Sequence, residues 1–206
     1  VRLTMPRRWQ VTVECGDHSY GPVEVPLLGR HQTANAAMAI GVIDQLGRAG
    51  WDLDADAALA GLSHTAWPGR LDCRGQHPWL VLDGAHTVES LRAVVRDLPA
   101  TFEYDRLIVV FGCLRDKDRR GLLGAIAAAP GTVFLTRSDH PHAAEPESLV
   151  DLLAAQGPTV LRRVIDDPAD ALRAALAKAT PRDLVLVTGS IYLVGVAMKW
   201  LAATKR

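Results

Sequence analysis

The chain has 206 residues, 49% of them hydrophobic and 22% charged, which is enough apolar material for one or two folded domains. Lysine plus arginine and aspartate plus glutamate balance at 23 each, so no overall field draws the protein to nucleic acid or to an anionic membrane. Three widely spaced cysteines, Cys15, Cys73 and Cys113, lack the C-x-x-C pairing of zinc or redox sites and fit a reduced, cytoplasmic compartment.

The first ten residues, VRLTMPRRWQ, carry positive charge with no apolar run behind them, which argues against a signal peptide or membrane anchor. A first residue of Val1 fits either a start read from a valine codon or the edge of an excised fragment. From Trp9 to Glu14 the residues alternate as in a strand, Gly16 to Gly21 reads as a turn, and Val23 to Leu27 as a second short strand, so a hairpin is expected. From Thr33 onward, Ala36, Ala37, Ile40, Ile43 and Leu46 recur at helical spacing until Gly47 and Gly50. A second helix is expected over Asp54 to Leu62. Pro68 and Gly69 then break the rhythm and mark a domain boundary, dividing the chain into residues 1–66 and 67–206.

Beyond Trp79, short apolar runs alternate with amphipathic stretches. The strand candidates are Leu80 to Leu82, Leu107 to Phe111, Val133 to Leu135, Val160 to Leu161 and Leu184 to Val187. Repeated strand-helix alternation implies an α/β fold with a mostly parallel, doubly wound sheet. Ligands of such sheets bind at the carboxyl ends of the strands. Asp83, Gly112 to Lys117, Thr136 to His142 and Thr188 to Ser190 all fall at that edge. Strand ends also need polar turns and caps, which by itself accounts for Thr87 or Ser190 as helix N-caps. Asp139, His140 and His142 read as a loop and not as a metal site. Nowhere is there G-x-x-x-x-G-K-[ST], or even a Gly-Lys pair, so the chain has no P-loop to cradle a triphosphate. No Ser-His-Asp or Cys-His arrangement and no repeat competes with these features.

Five segments stand in a fixed order: HQTAN (His31 to Asn35), WPGR (Trp67 to Arg70), DGAHT (Asp83 to Thr87), FGCLRDKD (Phe111 to Asp118) and TGSIYLVG (Thr188 to Gly195). Together they resemble the C-terminal part of folylpolyglutamate synthase/dihydrofolate synthase, in the Mur ligase superfamily, over about Leu27 to Gly195. The resemblance implies a Rossmann-like C-terminal, glutamate-binding domain over 67–206, preceded by a small α+β remnant of the central ATPase domain over 1–66. Enzymes of this family use Mg-ATP to activate a folate carboxylate as an acyl phosphate, which the amino group of L-glutamate attacks. Their P-loop and most Mg2+ ligands have no counterpart in this chain. It is therefore expected to contain no catalytic residue and to be inactive alone, supplying binding surface beside an N-terminal P-loop domain in cis or in trans. The alternative is a stand-alone, non-catalytic module that binds a nucleotide or an acidic amino acid.

Residue by residue, Asn35 matches an asparagine near the adenine, and an amide suits that base because it accepts and donates at once. His31 and Gln32 belong to the same pattern, with helix capping as their alternative. Arg70 matches an arginine sent toward the nucleotide phosphates, where a planar guanidinium holds two oxygens. Asp83 resembles an aspartate that accepts from ribose hydroxyls, and His86 a histidine beside the phosphates. Thr87 replaces the family's usual asparagine and falls near the incoming amino acid. Lys117, one of four lysines, resembles the lysine that engages a substrate carboxylate, with Asp116 and Asp118 either holding its ammonium or making the segment a solvated charged turn. Ser190 sits where the family offers a hydroxyl and helix amides to the same carboxylate, while Tyr192 reads as packing.

Overall fold

The computed structural model describes residues 6, 8–129, 131–157 and 161–204. Strands β1 (Trp9–Cys15) and β2 (His18–Val25) pair antiparallel, with a register shift between Val11 and Val13. The turn between them is shorter than the glycines at 16 and 21 suggested. Gly16 adopts φ +62, so Gly16 and Asp17 alone reverse the chain, and His18 to Tyr20 become strand.

Helix α1 (His31–Arg48) packs Ala36 and Ile40 inward beside Val23 and Val25 of the hairpin. It begins two residues earlier than the apolar period indicates, because the carboxylate of Asp97, far along the chain, accepts the His31 N–H at 2.8 Å. Near its other end Asp44 is buried, accepts from Arg48 Nε at 2.7 Å and Tyr20 Oη at 3.0 Å, and lies 2.7 Å from His18 Nδ1. The Arg48 and His18 contacts hold that carboxyl well below the usual range and tie the hairpin to the helix. Helix α2 (Ala55–Ser63) is capped by Asp54, whose side chain accepts from Ala57 N–H at 3.0 Å.

The rest of the chain forms a six-stranded sheet. Its strands are β3 (Asp72–Gln76), β4 (Trp79–Leu82), β5 (Leu107–Phe111), β6 (Gly131–Leu135), β7 (Leu161–Val164) and β8 (Leu184–Thr188), in the order β3-β4-β8-β5-β6-β7. All neighbours are parallel except the edge strand β3, which runs antiparallel to β4. Strand β3 was not expected, since DCRGQ shows no apolar alternation; it is held by pairing with β4 on one side only. Val160, the expected start of the fourth run, lies outside the described residues. The arginines of LRRV keep the opposite edge strand β7 exposed and charged.

Alternate residues of the strands feed two cores, the period-2 consequence of pleating. Val81, Val109, Phe111, Val133, Leu135 and Leu186 pack against α3 (Val88–Thr101), α4 (Arg119–Ala127) and α5 (Glu147–Ala154). Leu80, Leu82, Ile108, Val110, Phe134 and Val187 pack against α6 (Pro168–Lys178) and α7 (Ile191–Thr204) on the other face. Burial on both faces explains why the strands read as unbroken apolar runs. Among the described residues no helix is long and apolar enough to cross a membrane.

Candidate functional site

The first cluster lies where α1 meets the sheet domain. Gln32, Asn35, Leu62, Trp67 and Arg70, with Val25 and Leu27, line a cavity of about 410 Å3 whose walls are mostly apolar. Trp67 is 60% exposed, so its indole is an open flat surface at the cavity edge. Arg70 is exposed and has no ion-pair partner among the described residues. Asn35 Nδ2 donates to Gln32 Oε1 at 2.9 Å, Gln32 Nε2 lies 3.0 Å from His31 Nε2, and His31 Nδ1 lies 2.8 Å from Asp97 Oδ2. His31 and Gln32 therefore do not cap α1 with their side chains; Asp97 supplies the cap and the two side chains form a bridge toward Asn35.

The second cluster joins the WPGR and DGAHT turns. Leu71 N–H donates to Asp83 Oδ2 at 2.8 Å, Ala85 N–H to Oδ1 at 2.8 Å, and Gly84 N–H to the Gly69 carbonyl at 2.8 Å. Leu71 sits at φ +41, a left-handed conformation unusual for a branched side chain, and its amide is held there by Asp83. Asp83 is 2% exposed, and burial pushes its carboxyl up despite the two amides and the nearby Arg70. Both oxygens thus serve the backbone, an inward role that the ribose expectation did not contain. His86 lies 3.0 Å by Nδ1 from the Gly84 carbonyl, which only a ring N–H can satisfy. Its Nε2 makes no hydrogen bond among the described residues.

The third cluster is the carboxyl edge of β5, β6 and β8. The loop carrying Lys117 is tied to the loop after β6 by a bridge between Leu114 and Ala143 and by Ala144 N–H donating to Cys113 carbonyl at 2.9 Å. Lys117 Nζ lies 3.7 Å from Asp116. Asp118 does not hold that ammonium as expected; it caps α4, accepting from Gly121 N–H at 2.9 Å. Thr87 caps α3 in a reciprocal box with Ser90, its Oγ1 accepting from Ser90 N–H at 3.2 Å and donating to Ser90 Oγ at 3.0 Å. Ser190 is buried ahead of α7, with Oγ accepting from Tyr192 N–H at 3.2 Å. Tyr192 packs at the surface and not in the core: it is 45% exposed, and its ring lies tilted against that of His140 with centroids 4.2 Å apart. No group of three metal-ligating side chains forms among the described residues. Burial pushes the Cys113 thiol up to about 12, so this cysteine stays protonated and is no nucleophile.

The structure therefore brings Gln32, Asn35 and Arg70 to one cavity, with His31 directly behind Gln32. Asp83 is joined to the Arg70 turn through Leu71, His86 and Thr87 follow Asp83 in the same loop, and Lys117 and the buried Ser190 lie in neighbouring loops at the same sheet edge. The sequence reading missed Asp97. The signal was an acid on the apolar stripe Leu91, Val94, Leu98 of α3, where the carboxylate is 2% exposed. Thr188, placed at the strand edge by the sequence, has its hydroxyl buried at the end of β8 without a hydrogen-bond partner.

A sequence profile described as "Mur ligase, glutamate ligase domain" matches residues 69–191. The "Probable bifunctional folylpolyglutamate synthase/dihydropteroate synthase" of Halobacterium salinarum is 40% identical over 192 residues, covering 88% of this chain and 22% of that protein. Among solved structures, Mycobacterium tuberculosis folylpolyglutamate synthase complexed with ADP superposes with a TM-score of 0.82 at 27% identity, covering 95% of this chain and 46% of that one. A bifunctional folylpolyglutamate synthase/dihydrofolate synthase with Mn, AMPPNP and L-glutamate bound superposes with a TM-score of 0.73 at 26% identity, over 94% of this chain and 44% of that one. The chain thus spans less than half the length of each relative.

Proposed function

From the premise that this chain belongs to the Mur ligase family through its glutamate ligase domain, we propose that it is the C-terminal portion of an ATP-dependent folate:L-glutamate ligase. Residues 1–66 are the end of a central ATP-binding domain and residues 67–206 the glutamate-binding domain. The observation that carries this reading is the cavity at their junction, which pairs an exposed amide, Asn35, with an open indole, Trp67, and an unpaired guanidinium, Arg70. An apolar slot with an amide fits a purine, and a free guanidinium at its rim fits the phosphates that follow.

In this reading Asn35 binds adenine, Arg70 and His86 meet the phosphates, and Asp83 holds the turn that aims Arg70. Lys117 and the N-terminus of α7 at Ser190 hold a glutamate carboxylate, and Thr87 sets the start of α3 beside it. Each places charge or donors without moving a proton or forming a bond. ATP supplies the phosphoryl group that activates the folate acid. The divalent ion, proposed to be Mg2+, is held by groups outside the described residues, as is the triphosphate-cradling loop, whether in cis or in trans. The three separated cysteines, all free, support a cytoplasmic setting.

The test is binding and turnover by the purified chain. It is expected to bind ADP and L-glutamate but to release no ADP from ATP in a glutamate- and folate-dependent manner. Arg70→Ala is expected to weaken ADP binding by about 10- to 100-fold, the loss of a charge-assisted contact, with the melting temperature unchanged. Lys117→Ala is expected to weaken L-glutamate and leave ADP alone. Substrate-dependent ADP release by the chain alone, or nucleotide affinity indifferent to Arg70, refutes the assignment.

A further inference from the structure

The bridge behind Asn35 has a direction that its end groups dictate. Asp97 is buried and its carboxylate can only accept, so at 2.8 Å the His31 Nδ1 must carry the proton. On the other side of the ring the Gln32 amide nitrogen, which can only donate, faces Nε2, so that ring nitrogen is the acceptor. The Gln32 amide, 3.0 Å away and 5% exposed, has to turn its NH2 toward that nitrogen. Gln32 Oε1 is thereby aimed at Asn35, which answers with its Nδ2 at 2.9 Å. Of the Asn35 amide this leaves Oδ1 and the second Nδ2–H in a fixed order, Oδ1 as the acceptor and the N–H as the donor for whatever enters the cavity. Asp97 is itself anchored: the same Oδ2 takes the His31 backbone N–H at 2.8 Å, and Oδ1 takes Arg96 Nε at 3.1 Å.

We propose that Asp97, His31 and Gln32 form a positioning relay that fixes the polarity of the Asn35 amide and thereby makes the cavity selective for a 6-aminopurine over a 6-oxopurine. The 6-amino group donates to Asn35 Oδ1, whereas a 6-oxo group sets oxygen against oxygen. Nothing in the cavity's apolar wall distinguishes these two bases, which have nearly the same shape, so the discrimination rests on the orientation of one amide. Asp97 belongs to α3 of the sheet domain and Asn35 to α1, so the selectivity is assembled only when the two parts of the chain are docked. This inference rests on the reading of the cavity as a nucleotide site.

The test compares ADP with inosine diphosphate by titration calorimetry on the purified chain, and reads the His31 tautomer by 15N NMR. The native chain is expected to show the Nδ1–H tautomer and to prefer ADP by about tenfold or more. Gln32→Met keeps the Asp97–His31 contact and the fold but cuts the relay, and is expected to remove most of that preference. Asp97→Ala is expected to mix the tautomers and lose the preference, whereas Asp97→Asn, whose carbonyl still accepts from Nδ1–H, restores much of both. An Nε2–H tautomer in the native chain, or a preference that survives both Gln32→Met and Asp97→Ala, overturns the relay. Equal binding of the two nucleotides by the native chain also overturns it, while leaving the nucleotide site standing. Binding of neither refutes the nucleotide site and the relay together.

Discussion

Replacing Asp83 by alanine separates a structural carboxylate from a ligand-facing one. Its two oxygens accept from the Leu71 and Ala85 amides at 2.8 Å each, and both donors belong to residues no more than 2% exposed. An orphaned buried N–H costs about 1–3 kcal/mol, so two cost roughly 2–6 kcal/mol before offsets. Part is returned because burial already penalises the ionised Asp83, as its raised pKa shows. Against this, Leu71 is held at φ +41, where a non-glycine residue carries about 1–2 kcal/mol of strain, and release of its amide frees the turn to relax. A net loss of about 2–4 kcal/mol is expected, a large share of the roughly 5–15 kcal/mol typical of a folded domain. For a chain of this size that lowers the melting temperature by roughly 5–15 °C, read by circular dichroism, with the urea midpoint falling in parallel. Arg70 lies within the same turn, so ADP affinity falls with stability. A variant that melts with the native protein yet loses ADP binding would falsify the inward role and return Asp83 to the ribose.

Two other outcomes follow from local geometry. Gly189 lies at φ +100, and a Cβ there would come within 2.5 Å of the Phe111 ring and 2.6 Å of the Gly112 carbonyl oxygen. Gly189→Ala is therefore expected to cost more than about 2 kcal/mol and to displace Ser190, so both the melting temperature and glutamate binding drop; a neutral variant contradicts the packing. With pH, Asp97 and Asp183 act in the same direction as Asp44. Each is pushed up by burial but pulled further down, Asp97 by His31 and Arg96 and Asp183 by Arg106 and Thr180. Their folded values lie below the ordinary 3.8, so they stabilise the fold above that pH and the contribution is lost as pH falls through the lower folded values. Asp83 has the opposite sign and offsets part of the loss. The urea midpoint is expected to fall as the pH drops from about 4 toward 2, and Asp183→Asn to flatten that fall; a midpoint that rises over that range contradicts the assignment.

Much of the sheet domain was legible because burial on both faces writes itself into sequence. LIVVF and LVLVT carry almost no polar residue, and each is the strand it looks like. The edge strand β3 was not legible, since a one-sided partner demands no apolar pattern. The five ordered segments, three of them at strand ends, pointed to the family because their residue types and order are local properties of the chain.

The sequence by itself determined the α/β alternation, the parallel sheet and the kinship with Mur ligases, since apolar periodicity and short motifs are set within a few residues. Only the tertiary structure decided what the polar side chains face. Asp83 turns inward to backbone amides, Asp118 and Thr87 cap helices, and Asp97, 66 residues from His31, closes a bridge to Asn35. Hydrogen bonds couple groups near in space regardless of their separation along the chain. The role of a carboxylate or an amide is therefore fixed by the partner that folding brings to it, and no pattern in the neighbouring sequence records that partner.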